Sequence, residues 1–335
     1  MEKEKPILHI FQGKFKLPPP RKPIKSISLD SFSSSISIQE SKPKPSKVVV
    51  FDLDETLGSF SDLFLLWSGI RHYYPTFDKF TELLDIFPEF LRYGILSILS
   101  FLDQKKKTKE CDKIFIYTNN QCAPSWASLI TTYLHNKITI YSPSIEHNAG
   151  IEIPLFDKII GAFIPLKNST KFGRVSETSV QHRTTNKKTY SDLIHCTMLP
   201  KNTEICFIDD TEYVKMKHDK IYYIQPKAYF HTLSVSEMIE RLQEKYKILQ
   251  IDISIDYWFH WFSIHGRNDE LKMDINEKEY ISTINKEVSK KMMFHIREFF
   301  LLSSFQKYRN KSRKGMKPDI HLSVFRRNTR RKYHP

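Results

Sequence analysis

The sequence predicts an α/β fold: a parallel sheet with helices on both faces, in a Rossmann-like arrangement. Three observations predict it. Short, mostly β-branched or aromatic runs recur along the chain, at Val48–Phe51, Ile114–Tyr117, Ile138–Tyr141, Ile159–Ile164, Ile205–Ile208 and Ile221–Ile224. Segments with helical periodicity lie between them, at 77–103, 124–135, 188–196 and 235–246. Polar residues follow directly on several of the runs, where a parallel sheet gathers its chemistry.

Taken in order, residues 1–46 hold Pro18-Pro19-Pro20, a serine-rich patch from Ser26 to Ser37 and a KPKPS stretch. Such a composition buries little surface and reads as a flexible basic arm. At Lys47 the character changes. Val48-Val49-Val50-Phe51 is continuously apolar, the mark of a strand buried on both faces. The alternation of strand and helix then runs to about Tyr246, so 47–246 reads as one domain. Beyond it the alternation stops. Residues 247–306 read as a helical extension packed on the core, with an aromatic stretch from Tyr257 to Phe262 and a helix over 276–304. That aromatic stretch reads as core packing or a hydrophobic contact surface rather than a base-stacking platform. Residues 307–335 form a basic tail.

The charge distribution follows the same divisions. The 335 residues carry 52 Lys+Arg against 38 Asp+Glu, a formal +14. Residues 1–46 contribute +5 and residues 301–335 contribute +10, leaving −1 for 47–300. The surplus cations therefore belong to the two ends. The basic tail FRRNTRRKY reads as a contact for nucleic-acid phosphates, an acidic protein or an anionic membrane, as a nuclear localisation signal, or as a solvated tail. The scarcity of glycine, 9 residues, argues against glycine-rich cofactor folds. Four widely spaced cysteines with no CxxC pair argue against a disulfide framework or structural zinc and fit a reducing compartment. The opening MEKEKPILHIF lacks a signal peptide's apolar stretch. The most apolar window, Ile86 to Leu102, is interrupted by Glu89 and Arg92 and is too short to span a bilayer. An intracellular protein, cytoplasmic or nuclear, is expected.

The first run is followed by Asp52-Leu53-Asp54-Glu55-Thr56-Leu57, the second by Thr118-Asn119-Asn120, and the run at 205–208 by Asp209-Asp210. Lys188 opens a helical segment upstream of that last strand. If the strands are parallel neighbours, four carboxylates, a hydroxyl and an ammonium meet at one sheet edge. Crowded carboxylates raise one another's pKa unless a cation intervenes. A hard divalent ion with oxygen ligands resolves this, and Mg²⁺ suits one or two carboxylates plus phosphate and water. An aspartate can then attack phosphorus to give an aspartyl-phosphate, while a second protonates the leaving oxygen and later activates water. Thr118 and Lys188 would hold the phosphoryl oxygens.

DLDETL at 52–57, YTNN at 117–120, Lys188 and IDD at 208–210 together resemble the four motifs of the haloacid dehalogenase superfamily. The wording of the first is most similar to the CTD-phosphatase-like, NLI-interacting-factor-like branch, and the Lys- and Ile-rich composition also resembles homologues of large DNA viruses. The resemblance covers roughly Lys47 to Tyr246. It implies a Mg²⁺-dependent phosphatase of phosphoserine or phosphothreonine in proteins. By position, Asp52 matches the nucleophile. Asp54 matches the general acid/base, whose backbone carbonyl also ligates the metal. Thr118 matches the phosphate binder and Lys188 the motif lysine, with Lys187 adjacent as the alternative. Asp210 is the expected direct metal ligand and Asp209 a supporting residue or lysine partner. The mostly helical insertion after the first motif, and the connection over 142–187 with Arg174 and Arg183, would shape the substrate mouth.

Other expectations are plainer. His182-Arg183 reads as an exposed loop pair or as a phosphate contact. Asp30, Asp62 and Asp103 lack the motif context and read as solvated. Two alternative functions stay open at this level: a phosphatase of nucleic-acid ends or small metabolites, and an inactive scaffold binding partners through its extension and tail.

Overall fold

Val48 to Phe51 form the centre of a five-stranded parallel sheet, and the alternation of their side chains builds the core on both sides of it. The computed structural model describes residues 45–122, 124–141, 154–163, 183–267 and 273–302. Apart from its last two residues, the arm read over 1–46 lies outside them, as do the basic tail, Arg174 and His182.

The strands are β1 (Lys47–Phe51), β2 (Lys113–Tyr117), β3 (Lys158–Ile160), β4 (Glu204–Ile208) and β5 (Ile221–Ile224), in the order β3-β2-β1-β4-β5. Val49, Phe51, Ile114, Ile116, Cys206 and Ile208 face one hydrophobic cluster; Val48, Val50, Phe115, Tyr117, Ile205 and Phe207 face the other. Helices cover both faces. The first cluster packs α1 (Ser61–Tyr73), α2 (Phe80–Ile86), α3 (Ile95–Lys107), α4 (Pro124–Tyr141) and α6 (Val235–Glu244). The second packs α5 (Tyr190–Thr197) and Met216 of a short 3₁₀ turn. The sheet is α/β and parallel as expected, and the insertion after β1 is helical.

Two of the strand expectations change. The apolar run Ile138–Tyr141 is not a strand but the last turn of α4, because Ile138 continues the buried four-residue spacing of Trp126, Ile130 and Leu134. Periodicity over four residues alone does not separate the two. The run beginning at Ile159 gives only the short β3, with residues 161–163 outside any strand.

After α7 (Tyr246–Leu249) come α8 (Ile255–Ile264) and α9 (Ile275–Leu301). Trp258 and Phe262 of α8 and Met292, Ile296 and Phe299 of α9 are buried in the same cluster as the sheet, so the aromatic stretch contributes to core packing, with Phe259 left exposed. Lys47 closes the join: its buried ammonium donates to the carbonyls of Phe299 and, at 2.6 Å, Leu302, at the end of α9. No helix among the described residues is long and apolar enough to cross a membrane.

The seat of α8 on α1 depends on Gly69. A Cβ there would stand 2.7 Å from the Trp258 ring and 2.9 Å from Trp261 Nε1. Gly69→Ala is expected to destabilise the protein by about 1–3 kcal/mol, because overpacking forces two ring systems to move. Urea denaturation of the variant against the wild type checks this; an unchanged midpoint would mean that the rings can shift freely.

Candidate active site

The site is built at the carboxyl edge of the sheet, where the chain leaves β1 for β2 on one side and later returns to β4 on the other. Register sets the level: Phe51 pairs with Ile116 and with Ile208, so the residues following the three strands emerge side by side. The Asp52 N–H donates to the Ile208 carbonyl at 2.9 Å, and the Thr118 N–H to the Ile160 carbonyl at 3.0 Å. A cleft of about 600 Å³ opens there. Asp52, Asp54, Thr118, Lys188 and Asp210 all line it. Five of the six residues singled out in the sequence thus face one space, and the sixth, Asp209, lies beneath it, wholly buried.

Lys188 joins the two levels. Its Nζ lies 2.5 Å from Asp52 Oδ1 and 2.7 Å from Asp209 Oδ2, and the side chain is 1% exposed. Against the pull of burial, the two carboxylates hold this ammonium above its ordinary pKa. Lys187 is exposed, so Lys188 is the lysine of the cleft. Asp209 accepts from Lys188 through Oδ2 and from the Thr211 N–H through Oδ1, which uses both oxygens. Asp210 faces the cleft and exchanges two 3.1 Å hydrogen bonds with Thr56: the hydroxyl donates to Oδ1 and accepts the Asp210 N–H. The Asp54 carboxylate accepts from Asn120 Nδ2 at 2.8 Å. Burial, opposed by that hydrogen bond, raises Asp54 to about 6, which makes it a usable proton carrier near neutrality. Glu55, at φ 56°, also lines the cleft and is pushed up to about 8 by burial and by the neighbouring carboxylates.

Ligand atoms of Asp52, Asp209 and Asp210 lie within 4.8 Å of one another. An all-oxygen set, in which burial and the neighbouring Asp52 charge raise Asp209 and Asp210, fits a hard divalent cation. The Asp54 carboxylate is not in that group.

Several residues of the site escaped the sequence reading. Arg183 is not an exposed loop residue. It is 5% exposed, and its Nη1 donates to the Thr118 carbonyl at 3.0 Å and to Asn119 Oδ1 at 2.7 Å, bracing the loop after β2 from behind. Asn119 reaches the Tyr213 hydroxyl. Arg92, the lone cation in the apolar window, is buried and donates through Nε to the Thr56 carbonyl, holding the loop after β1. Its isolation among apolar residues was the one signal available. The four cysteines are free thiols, with Cys111, Cys196 and Cys206 buried.

Asp62 is a correction. It is 3% exposed rather than solvated, and its Oδ2 accepts from Arg267 and lies 2.9 Å from His231 Nε2. Although burial favours its neutral form, His231 and Arg267 hold its carboxyl below the ordinary range. A carboxylate depressed in the folded state stabilises the fold fully above its unfolded pKa of about 3.9, and that contribution disappears as pH falls through the lower folded value. Over pH 7 to 3 the part of the stability gap between wild type and Asp62→Asn that comes from this carboxylate is therefore expected to be lost below about pH 4. Urea midpoints across that range measure it; a gap that widens in acid would reverse the assignment.

In comparisons with known proteins, no family model, no curated sequence and no solved structure matches this chain.

Proposed function

We propose that this chain is a Mg²⁺-dependent phosphatase of the haloacid dehalogenase type, acting on phosphoserine or phosphothreonine in proteins through an aspartyl-phosphate on Asp52. The observation that carries the reading is the convergence of Asp52, Asp54, Thr118, Lys188 and Asp210 on one cleft, with Lys188 held between Asp52 and a buried Asp209. The motif wording of DLDETL, YTNN and IDD supports the particular branch.

In this reading the Asp52 carboxylate attacks phosphorus and the bond to the serine or threonine oxygen breaks. Asp54, oriented by Asn120, gives its proton to that oxygen. Asp54 then takes a proton from the water that attacks the aspartyl-phosphate, which releases phosphate and restores Asp52. The Thr118 hydroxyl accepts the Asn120 N–H at 2.9 Å, leaving its own proton for a phosphoryl oxygen. Lys188 has spent two of its three N–H donors on Asp52 and Asp209, and the third is free for the phosphoryl group. Asp52, Asp210 and the Asp54 carbonyl would hold Mg²⁺, with Asp209 serving the lysine. Bound there, Mg²⁺ supplies neutralising charge that lets a carboxylate approach an anionic phosphate.

Phosphate release from p-nitrophenyl phosphate, a phosphoserine peptide and 3′- or 5′-phosphorylated oligonucleotides, with Mg²⁺ and with chelator, tests the proposal. Mg²⁺-dependent turnover with peptide preferred over oligonucleotide supports it. Preference for the oligonucleotides would move the substrate class, and no release from any of them would end the phosphatase reading.

A further inference from the structure

Arg267 lies outside the strands that carry the carboxylates, yet it lines the same cleft. A helix ending brings it there. α8 stops at Ile264; Gly266 adopts φ +71°, its N–H donates to the Ser263 carbonyl at 3.0 Å, and the Arg267 N–H donates to the Phe262 carbonyl at 2.9 Å. This paired closure reverses the chain, and a residue with a Cβ at 266 would be strained by its backbone conformation. The helix itself is fixed on α1, with Trp261 Nε1 donating to the Leu65 carbonyl at 3.0 Å and the Tyr257 hydroxyl to the Gly69 carbonyl at 2.9 Å. α1 in turn supplies Asp62, against which the guanidinium rests, and the cleft residues Phe64 and Leu65.

Charge gives that position its meaning. Among the described lining residues, Asp52, Asp54, Glu55, Asp62 and Asp210 face only two formal cations, Lys188 and Arg267. Lys188 is buried and paired with two carboxylates. The Arg267 side chain is 34% exposed, and its buried Nε has no hydrogen-bond partner. Asp62 is shared with His231, so it does not saturate the guanidinium. An arginine with donors to spare at a cleft wall is a receptor for a planar anion. A second phosphate, bearing about two charges, would call for more than one such cation; a carboxylate matches one guanidinium.

We propose that Arg267 is a specificity-determining residue that binds an aspartate or glutamate side chain close to the phosphoresidue of the protein substrate. This rests on the phosphatase reading above and extends it: the helical extension, not the sheet, selects acidic substrate segments.

The test uses the full chain and two phosphoserine peptides that differ only in glutamate or glutamine at the positions flanking the phosphoserine. Wild type is expected to favour the glutamate peptide by about tenfold in kcat/KM, a ratio typical of one charge-assisted contact. Added salt should shrink this preference. Arg267→Gln should bring the ratio to near one, and Gly266→Ala should lower it in part while retaining the guanidinium. Equal turnover of the two peptides by wild type, or an undiminished ratio in Arg267→Gln, overturns the proposal. If Arg267→Gln does not fold, the wild-type ratio and its salt dependence decide. If wild type cleaves neither peptide nor p-nitrophenyl phosphate, the phosphatase reading falls by itself. Arg267 is then judged by fluorescence anisotropy of the labelled, intact peptides: a glutamate preference lost in Arg267→Gln upholds it, and equal binding overturns it.

Discussion

Asp52→Asn is expected to lower phosphate release from p-nitrophenyl phosphate and from a phosphoserine peptide by at least about 10³-fold, the scale of losing a nucleophile. The reason is local. Asp52 directly follows the central strand, its carboxylate lines the cleft, and Lys188 is seated on one of its oxygens. Asparagine keeps the size and the hydrogen-bonding oxygen but is a far poorer nucleophile toward phosphorus, so the covalent step is lost while the fold is kept. Lys188 still has Asp209 at 2.7 Å, which limits the structural cost. Circular dichroism and a urea midpoint near that of wild type would separate chemistry from unfolding. Acid-quenched wild type mixed with labelled phosphopeptide should carry a phosphoryl group on Asp52. Turnover by Asp52→Asn within a few-fold of wild type would sink the assignment of the nucleophile.

Lys188→Met should be the most destabilising single change at the site, by about 3–5 kcal/mol. Removing one partner of a buried ion pair leaves the other charge without compensation. Here two carboxylates depend on the one ammonium: Asp52, and Asp209, which has no exposure at all. Burial already raises the Asp209 pKa, so loss of the lysine would drive it toward the neutral acid. The double variant Lys188→Met with Asp209→Asn should recover part of the loss, because the amide leaves no buried charge behind. Urea midpoints of wild type, both single variants and the double variant give the coupling directly. A Lys188→Met midpoint equal to wild type would show that the lysine carries no structural charge. Activity should fall in either variant lacking the lysine, since a donor to the phosphoryl oxygens goes with it.

Much of this was legible before any coordinates. Strands buried on both faces are continuous apolar runs, and five of the six runs read from the chain became β1 to β5. The failure at Ile138–Tyr141 has a clear cause: four apolar residues at the end of a helix have the same composition as a short strand, and only the longer spacing from Trp126 distinguishes them. The residues following β1, β2 and β4 were legible because a parallel sheet gathers them at one edge whatever the rest of the chain does. Asp62, Arg183 and Arg92 were not. Each is a charged residue, and composition places charged residues at the surface. Their burial is made tolerable by partners distant in sequence: His231 and Arg267 for Asp62, the Thr118 carbonyl for Arg183, the Thr56 carbonyl for Arg92.

The sequence by itself determined the parallel α/β architecture and the acidic edge, since both arise from local runs: apolar stretches that form strands, and the carboxylates that follow them. Only the tertiary structure decided which lysine enters the cleft, which of Asp209 and Asp210 faces it, and that the helical extension contributes Arg267 to its wall. The physical reason is range. Periodicity reports on neighbours a few positions away, whereas the pairing of a buried charge is satisfied only when packing brings together groups as far apart as Asp62 and Arg267.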